Sequence, residues 1–357
     1  MTHGSEAGWR RMLPWLKGPI GLGLIAFLIH KNWDHFASFL QRPIEWRFLA
    51  LGCGICIVAV VLTFLRWYLL VWAQQFQFSI RDAVRLGFMG CLLNYVGPGA
   101  LGGDVIKGAM LVRRQSERRL IAASTVILDR VLGLVSLMLV GTVATFFAPD
   151  NITDRDIIRN VVWTGSILGV GGLVLLLHPA MSRSRLIVWA ASLPKVGPFI
   201  ADVANSAALY QSRRRVIVLG VLIGIVGQLG TISAFYFCAR ALAPVEDVLS
   251  FSTHILWIPI AELISMIPLT PGGAGTLEAA VQYGYGLAGK DQALGLAAAL
   301  GYRLLSMTVA LIGGVYWVIG HRDITQAMAE ADGASPTKDD SVGQRTAECR
   351  ANLRQEV

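Results

Sequence analysis

The chain predicts an all-α polytopic membrane protein, with about six spans and two oppositely oriented re-entrant hairpins in an inverted repeat. Three observations lead there. Its 357 residues are 54% hydrophobic and only 15% charged, with a mean hydropathy of +0.57. Several runs of about 18 or more apolar residues meet the length that a transmembrane helix needs, and they are far too long for barrel strands. Two stretches rich in glycine and proline interrupt the apolar sequence in corresponding places. The first runs from Asn94 to Lys107 and carries Pro98, Gly99, Gly102 and Gly103; the second runs from Pro268 to Glu278 and carries Pro271, Gly272, Gly273 and Gly275. Glycine and proline at that density break helices. Broken backbone at membrane depth persists only where it is buried in protein or lines a wet cavity.

Residues 1–15 read as a short cytoplasmic segment, and residues 16–320 as the transmembrane domain. The first span, 16–30, resembles a signal sequence, but Lys31, Asn32, Trp33 and Asp34 follow it instead of a small-residue cleavage site. It is read as retained. The second span, 48–72, carries Arg66, expected to snorkel to the interface beside Trp67, Tyr68 and Trp72. The first hairpin, 86–111, follows Arg81 and Arg85 and precedes Arg113, Arg114, Arg118 and Arg119. Basic flanks on both sides place both of its ends in the cytoplasm. Residues 120–147 span outward to a loop with Asp150, Asp154 and Asp156, and residues 160–178 span back. The basic connection 179–215 is expected to lay Trp189, Leu193 and Phe199 on the membrane surface. Residues 216–242 span outward, Glu246 and Asp247 mark an external turn, and the second hairpin, 248–288, opens outside. Residues 292–320 return inward, and the polar segment 321–357 is expected to be a disordered cytoplasmic tail. Both termini are then cytoplasmic.

Charge and cysteine usage exclude other classes. The net charge of +8 falls in loops between spans, so the positive-inside rule accounts for it and no nucleic-acid partner is expected. Cys53 and Cys56 form a C-x-x-C on a span with no second ligand pair, so no metal site and no cofactor are expected. No enzyme motif stands out: H-E-x-x-H, G-x-S-x-G and Walker sequences are absent. Leu101-Gly-Gly-Asp104 lacks the first glycine of the G-x-G-D of intramembrane aspartyl proteases.

The two halves, about 48–147 and 216–320, match element by element as span, hairpin, span. Pro98 leads to Asp104, with Arg130 26 residues further on; Pro271 leads to Glu278, with Arg303 25 residues further on. One extra span separates the halves, which inverts the second. Inverted halves with broken helices are the pattern of alternating-access transporters, whose sites lie where the breaks meet. Helix ends freed by glycines would present N–H groups to a phosphate or carboxylate.

A charge at the bilayer centre costs about 2.5–3.5 kcal/mol on insertion scales. Asp104, Lys107, Asp129, Arg130, Glu262, Glu278 and Arg303 nevertheless lie in apolar stretches. One reading pairs Asp104 with Arg130 and Glu278 with Arg303 purely to hold the hairpins. The other puts Arg130, Arg303 and Lys107 on an anionic headgroup, because the guanidinium fork suits phosphate. The carboxylates then position the arginines or bind a cationic group. Asn94 either caps a broken helix or donates to a headgroup. Glu262 either takes up a proton during transport or bonds neighbouring backbone. His30 and His254 are expected at the interface.

Asn94, Pro98-Gly-x-x-Gly-Gly-Asp104-x-x-Lys107, Asp129-Arg130-x-x-Gly133, Pro271-Gly-Gly-x-Gly275-x-x-Glu278 and Tyr302-Arg303 together resemble the lysylphosphatidylglycerol synthase transmembrane region, over roughly residues 15–320. The resemblance implies a bacterial or archaeal plasma-membrane protein related to the flippase half of enzymes that make and export aminoacylated phosphatidylglycerol. It implies a membrane lipid as substrate. Only 37 residues lie from His321 onward, too few for an aminoacyltransferase domain, so synthesis of the lipid is not expected. The expected activity is movement of an anionic, aminoacylated or glycosylated lipid headgroup. The alternatives are secondary transport of a small charged solute, or an accessory role beside an envelope-biosynthesis enzyme.

Overall fold

The structure is a computed structural model, and it describes residues 23–31, 33, 43–96, 102–114, 119–147, 155–178, 209–267, 270 and 273–333. Among the described residues all regular structure is helical. The principal helices are α1 (Trp46–Ala73), α2 (Ile80–Val96), α3 (Gly102–Arg114), α4 (Arg119–Ala144), α5 (Arg155–Leu177), α6 (Arg214–Leu242), α7 (Phe251–Ser265), α8 (Thr276–Leu287) and α9 (Gln292–Gly333).

Among the described residues five helices, α1, α4, α5, α6 and α9, are long and apolar enough to cross a membrane. Each follows the expected span to within a few residues at its start. The expected first span is described only from residue 23, where a helical stretch runs to residue 31, so it is not among the five. The interfacial segment expected around Trp189, Leu193 and Phe199 lies outside the described residues. Two boundaries move: α2 begins at Ile80 where 86 was expected, so Arg81 and Arg85 lie within it, and α9 continues past 320 to Gly333, so 321–333 is helix where a disordered tail was expected. The reason for the second is local, because Gln326-Ala-Met-Ala-Glu-Ala331 is built from good helix formers.

The remaining four helices are short. α2 has 17 residues, α3 13, α7 15 and α8 12, all below the roughly 20 residues that a crossing needs. They occur as two pairs, α2 against α3 and α7 against α8. Ser250 starts α7 by accepting the Thr253 N–H at 3.2 Å, as an N-cap serine does.

The largest helix interface joins α1 to α6. Small residues let these two approach: a Cβ at Gly230 would stand 3.0 Å from that of Ala59, and Gly52 faces Phe237. The rest of the packing runs in matched sets. α1 packs on α2 as α6 does on α7, and α3 on α4 as α8 does on α9. α1 packs on α4 as α6 does on α9. Across the halves, α2 packs on α9 and α7 on α4, while α4 packs on α6 and α9 on α1. α5 lies outside this set against α4, and its outward face (Ile157, Ile167, Leu168, Val174, Leu175) is exposed, as a lipid-facing surface should be.

Within the α7–α8 pair, the Trp257 indole lies over Gly284 and its Nε1 donates to the Ala280 carbonyl at 2.8 Å. A Cβ at 284 would fall inside that ring. Gly284→Ala is expected to cost about 1–3 kcal/mol through overpacking and to alter Trp257 fluorescence. An unfolding curve identical to wild type would show that this close approach is not what holds the pair together.

Candidate functional site

Each helix pair carries, in the first turn of its second helix, a carboxylate that meets an arginine. In the first half the chain re-enters a helix at Gly102. Asn94, near the end of α2, accepts the Gly103 N–H at 3.0 Å, so it serves as the cap of α3. Gly103 lies directly on Gly90, with no room for a side chain between α2 and α3. Asp104, in the first turn of α3, accepts from Arg130 of α4 and from Lys107 at 3.3 Å. The Lys107 ammonium also lies 5.8 Å and 6.0 Å from the rings of Phe64 and Trp67, within cation–π reach. The Arg130 side chain remains 38% exposed.

The second half closes more tightly. Gly273 and Gly275 have φ of 66° and 84°, a region that side chains disfavour. The Gly275 N–H donates to Glu278 Oε2 at 2.7 Å. Arg303 grips Glu278 through Nε on Oε1 and through Nη2 on Oε2 at 3.0 Å, and the same Nη2 donates to the Gly273 carbonyl at 3.0 Å. Glu278 is 0% and the Arg303 side chain 7% exposed. This is a forked charge-assisted pair, the strong kind, locked to the backbone of its own break.

Other expected site residues go elsewhere. Asp129 does not join Arg130; its Oδ1 accepts from Arg66 Nε of α1 at 2.7 Å. Neighbouring residues on a helix point about 100° apart, so Asp129 and Arg130 face different partners. Arg66 therefore does not snorkel to the interface. Its side chain is 9% exposed, with Gly133 and Gly224 beneath the guanidinium. Glu262 accepts from Gln228 of α6 at 2.6 Å and, among the described residues, forms no ion pair. His254 is buried, not interfacial: it lies on the α8 side of α7, with Nε2 3.2 Å from the Tyr285 hydroxyl and Nδ1 3.1 Å from the Ser250 carbonyl.

Arg66, Gln228 and Tyr95 were missed as partners. Tyr95 meets Ser306 at 2.6 Å, joining α2 to α9. One signal was present in the sequence: a buried Asp129 beside an already committed arginine needs a second cation. Pro98, Gly99, Pro271 and Gly272 lie outside the described residues. Among the described residues no cluster of three or more His, Cys, Asp or Glu is placed to hold a metal.

The fold and these pairs define a multi-pass helical membrane protein with acid–arginine pairs at the breaks within its short helix pairs. The chain belongs to the lysylphosphatidylglycerol synthase TM region family, which matches residues 15–314. It is also similar to a protein described as "UPF0104 membrane protein" from Methanothermobacter thermautotrophicus, at 21% identity, covering 84% of this chain and 92% of that one. No solved structure matches it.

Truncating one member of a buried ion pair strands the other, which costs about 3–5 kcal/mol, whereas replacing both with apolar residues of similar volume is often neutral. Arg66→Met alone should therefore lower the unfolding midpoint strongly, and Arg66→Met with Asp129→Leu should recover most of the loss. Additive losses in the double variant would show that the two side chains are not coupled.

Proposed function

We propose that the protein moves the headgroup of a membrane lipid across the plasma membrane by alternating access, with its termini in the cytoplasm. The headgroup is anionic, aminoacylated or glycosylated, and the tails stay in the bilayer. The matched packing of α1–α4 and α6–α9 supports an inverted repeat, with α2–α3 and α7–α8 as re-entrant hairpins entering from opposite faces. The observation that carries the reading is the difference between the two acid–arginine pairs. Glu278–Arg303 is sealed, while Arg130 keeps 38% of its side chain accessible beside Lys107. Two equivalent sites in unlike states are what an alternating-access transporter presents when one side is open.

In this scheme Arg130 and Lys107 take the phosphate or another anionic part of the headgroup, and Asp104 orients them. Exchange to the other side would release Arg303 from Glu278 and Gly273. Glu262 favours a second reading, proton-coupled transport of a small charged solute. A carboxyl whose bonded partner is a neutral amide can gain or lose a proton without breaking an ion pair.

Reconstituted protein with fluorescent lipids tests the first reading by quenching of outer-leaflet label. Arg130→Ala, Asp104→Asn and Arg303→Ala should each slow translocation by ~10-fold or more, the scale of one lost charge-assisted hydrogen bond. Wild-type rates in a folded Asp104→Asn, Arg130→Ala double variant would sink the assignment. Gradient-driven solute uptake that depends on Glu262, without lipid movement, would favour the second reading.

A further inference from the structure

A cavity of about 420 Å³ opens where α1 begins and α6 ends, and Lys290, just beyond α8, reaches its edge by donating to the Glu246 carbonyl. Its position at the ends of two spans places it at the membrane surface. Arg47 and Phe48 from α1, Arg240 from α6, and the acidic Glu45 and Glu246 line it. The two guanidinium carbons each lie 5.0 Å from the centre of the Phe48 ring, so both cations are gathered around one aromatic side chain. The Glu45 N–H bonds the Ala241 carbonyl at 2.9 Å and fixes the two helix ends together.

Two arginines and two glutamates line the cavity, but among the described residues only one ion pair joins them. Arg47 pairs with Glu45 at 2.9 Å in an exposed position. Arg240 forms no ion pair among the described residues, and its Nη1 is buried without a hydrogen-bond partner there. A buried, unsatisfied donor on a charged group is costly, and most such groups in native proteins have a partner. Stabilising the negative end of α6 explains a cation in the last turn, but it does not explain an idle, buried Nη1. The start of α1 lies beside the same cavity and lacks a side-chain cap, which adds partial positive charge.

We propose that this cavity is an anion site that takes a phosphate group, either that of a lipid headgroup at the membrane surface or free phosphate from solution. It does not rest on the transport reading, because binding is measured without translocation. Arg240 supplies the donors, Arg47 closes over the anion, and Glu246 opposes it.

The test uses the full chain. Protein from phosphatidylcholine vesicles doped with phosphatidic acid is released and weighed by native mass spectrometry, and thermal unfolding is followed against inorganic phosphate. Arg240→Gln should lower phosphatidic acid retention or phosphate-dependent stabilisation by about 10-fold, one charge-assisted pair's worth. Glu246→Gln should raise the same quantity. A response confined to phosphatidic acid assigns a lipid headgroup; one confined to inorganic phosphate assigns an ion from solution. If Arg240→Gln does not fold, the exposed Arg47→Gln and Glu246→Gln variants decide. Lipid retention and phosphate response that match wild type in every folded variant overturn the proposal.

Discussion

A carboxylate in the first turn of a broken helix, gripped by an arginine from the next span, is the interaction on which this architecture turns. On the proposed reading, helices too short to cross the bilayer leave their inner ends at membrane depth, where no water satisfies them. Glu278 meets that need twice over, bonding the Gly275 N–H of its own break and the Arg303 fork. Arg303 then reaches back to the Gly273 carbonyl, so one arginine joins the break, the following short helix and the long span. Against an insertion cost of about 2.5–3.5 kcal/mol per charge, the decisive magnitude is the larger loss when one member of a buried pair is left alone. The pair is therefore retained as a unit.

The two halves use the same register for different chemistry. The residue before each pairing arginine reaches the first helix of its own half. In the first half, Asp129 meets Arg66 of α1 as an ion pair. In the second, Tyr302 stacks on Phe235 of α6 with ring centres 3.8 Å apart. Arg66 and Phe235 stand at matching depths, 20 and 21 residues beyond the starts of α1 and α6. One half thus carries Arg66, Asp129, Asp104, Lys107 and Arg130 in two ion-paired groups on α1, α3 and α4, and the other replaces part of that set with an aromatic stack. On the proposed reading, the first half carries the polar contacts for a headgroup and the second acts mainly as a gate.

Much of this was legible in the sequence because membrane constraints are severe. Long apolar runs placed the starts of the five described spans to within a few residues, and the glycine–proline breaks fell between α2 and α3 and between α7 and α8. Asp104–Arg130 and Glu278–Arg303 could be paired because each motif repeats with nearly equal spacing. What was not legible depends on helix rotation and on distant partners. Arg66 lies 63 residues from Asp129, and its place within α1 is equally compatible with snorkelling or pairing until α4 is docked. Gln228 gives no signal of its own. His254 looks interfacial near a helix start, yet the face it occupies turns toward Tyr285. The extension of α9 to Gly333 was hidden by polar composition, which reports poor burial without excluding helix.

The geometry also bears on how charge could cross such a protein. Moving an arginine or a phosphate alone through hydrocarbon would strand an ion. Here each arginine already holds a carboxylate that an incoming anion could displace, so occupancy can change by exchange of partners. Arg130 shares Asp104 with Lys107, which leaves the carboxylate compensated when the guanidinium turns to a ligand. Glu278 has no second cation among the described residues, but it has the Gly275 N–H. On the proposed reading the first pair opens with little loss, while the second opens only if its backbone break rearranges.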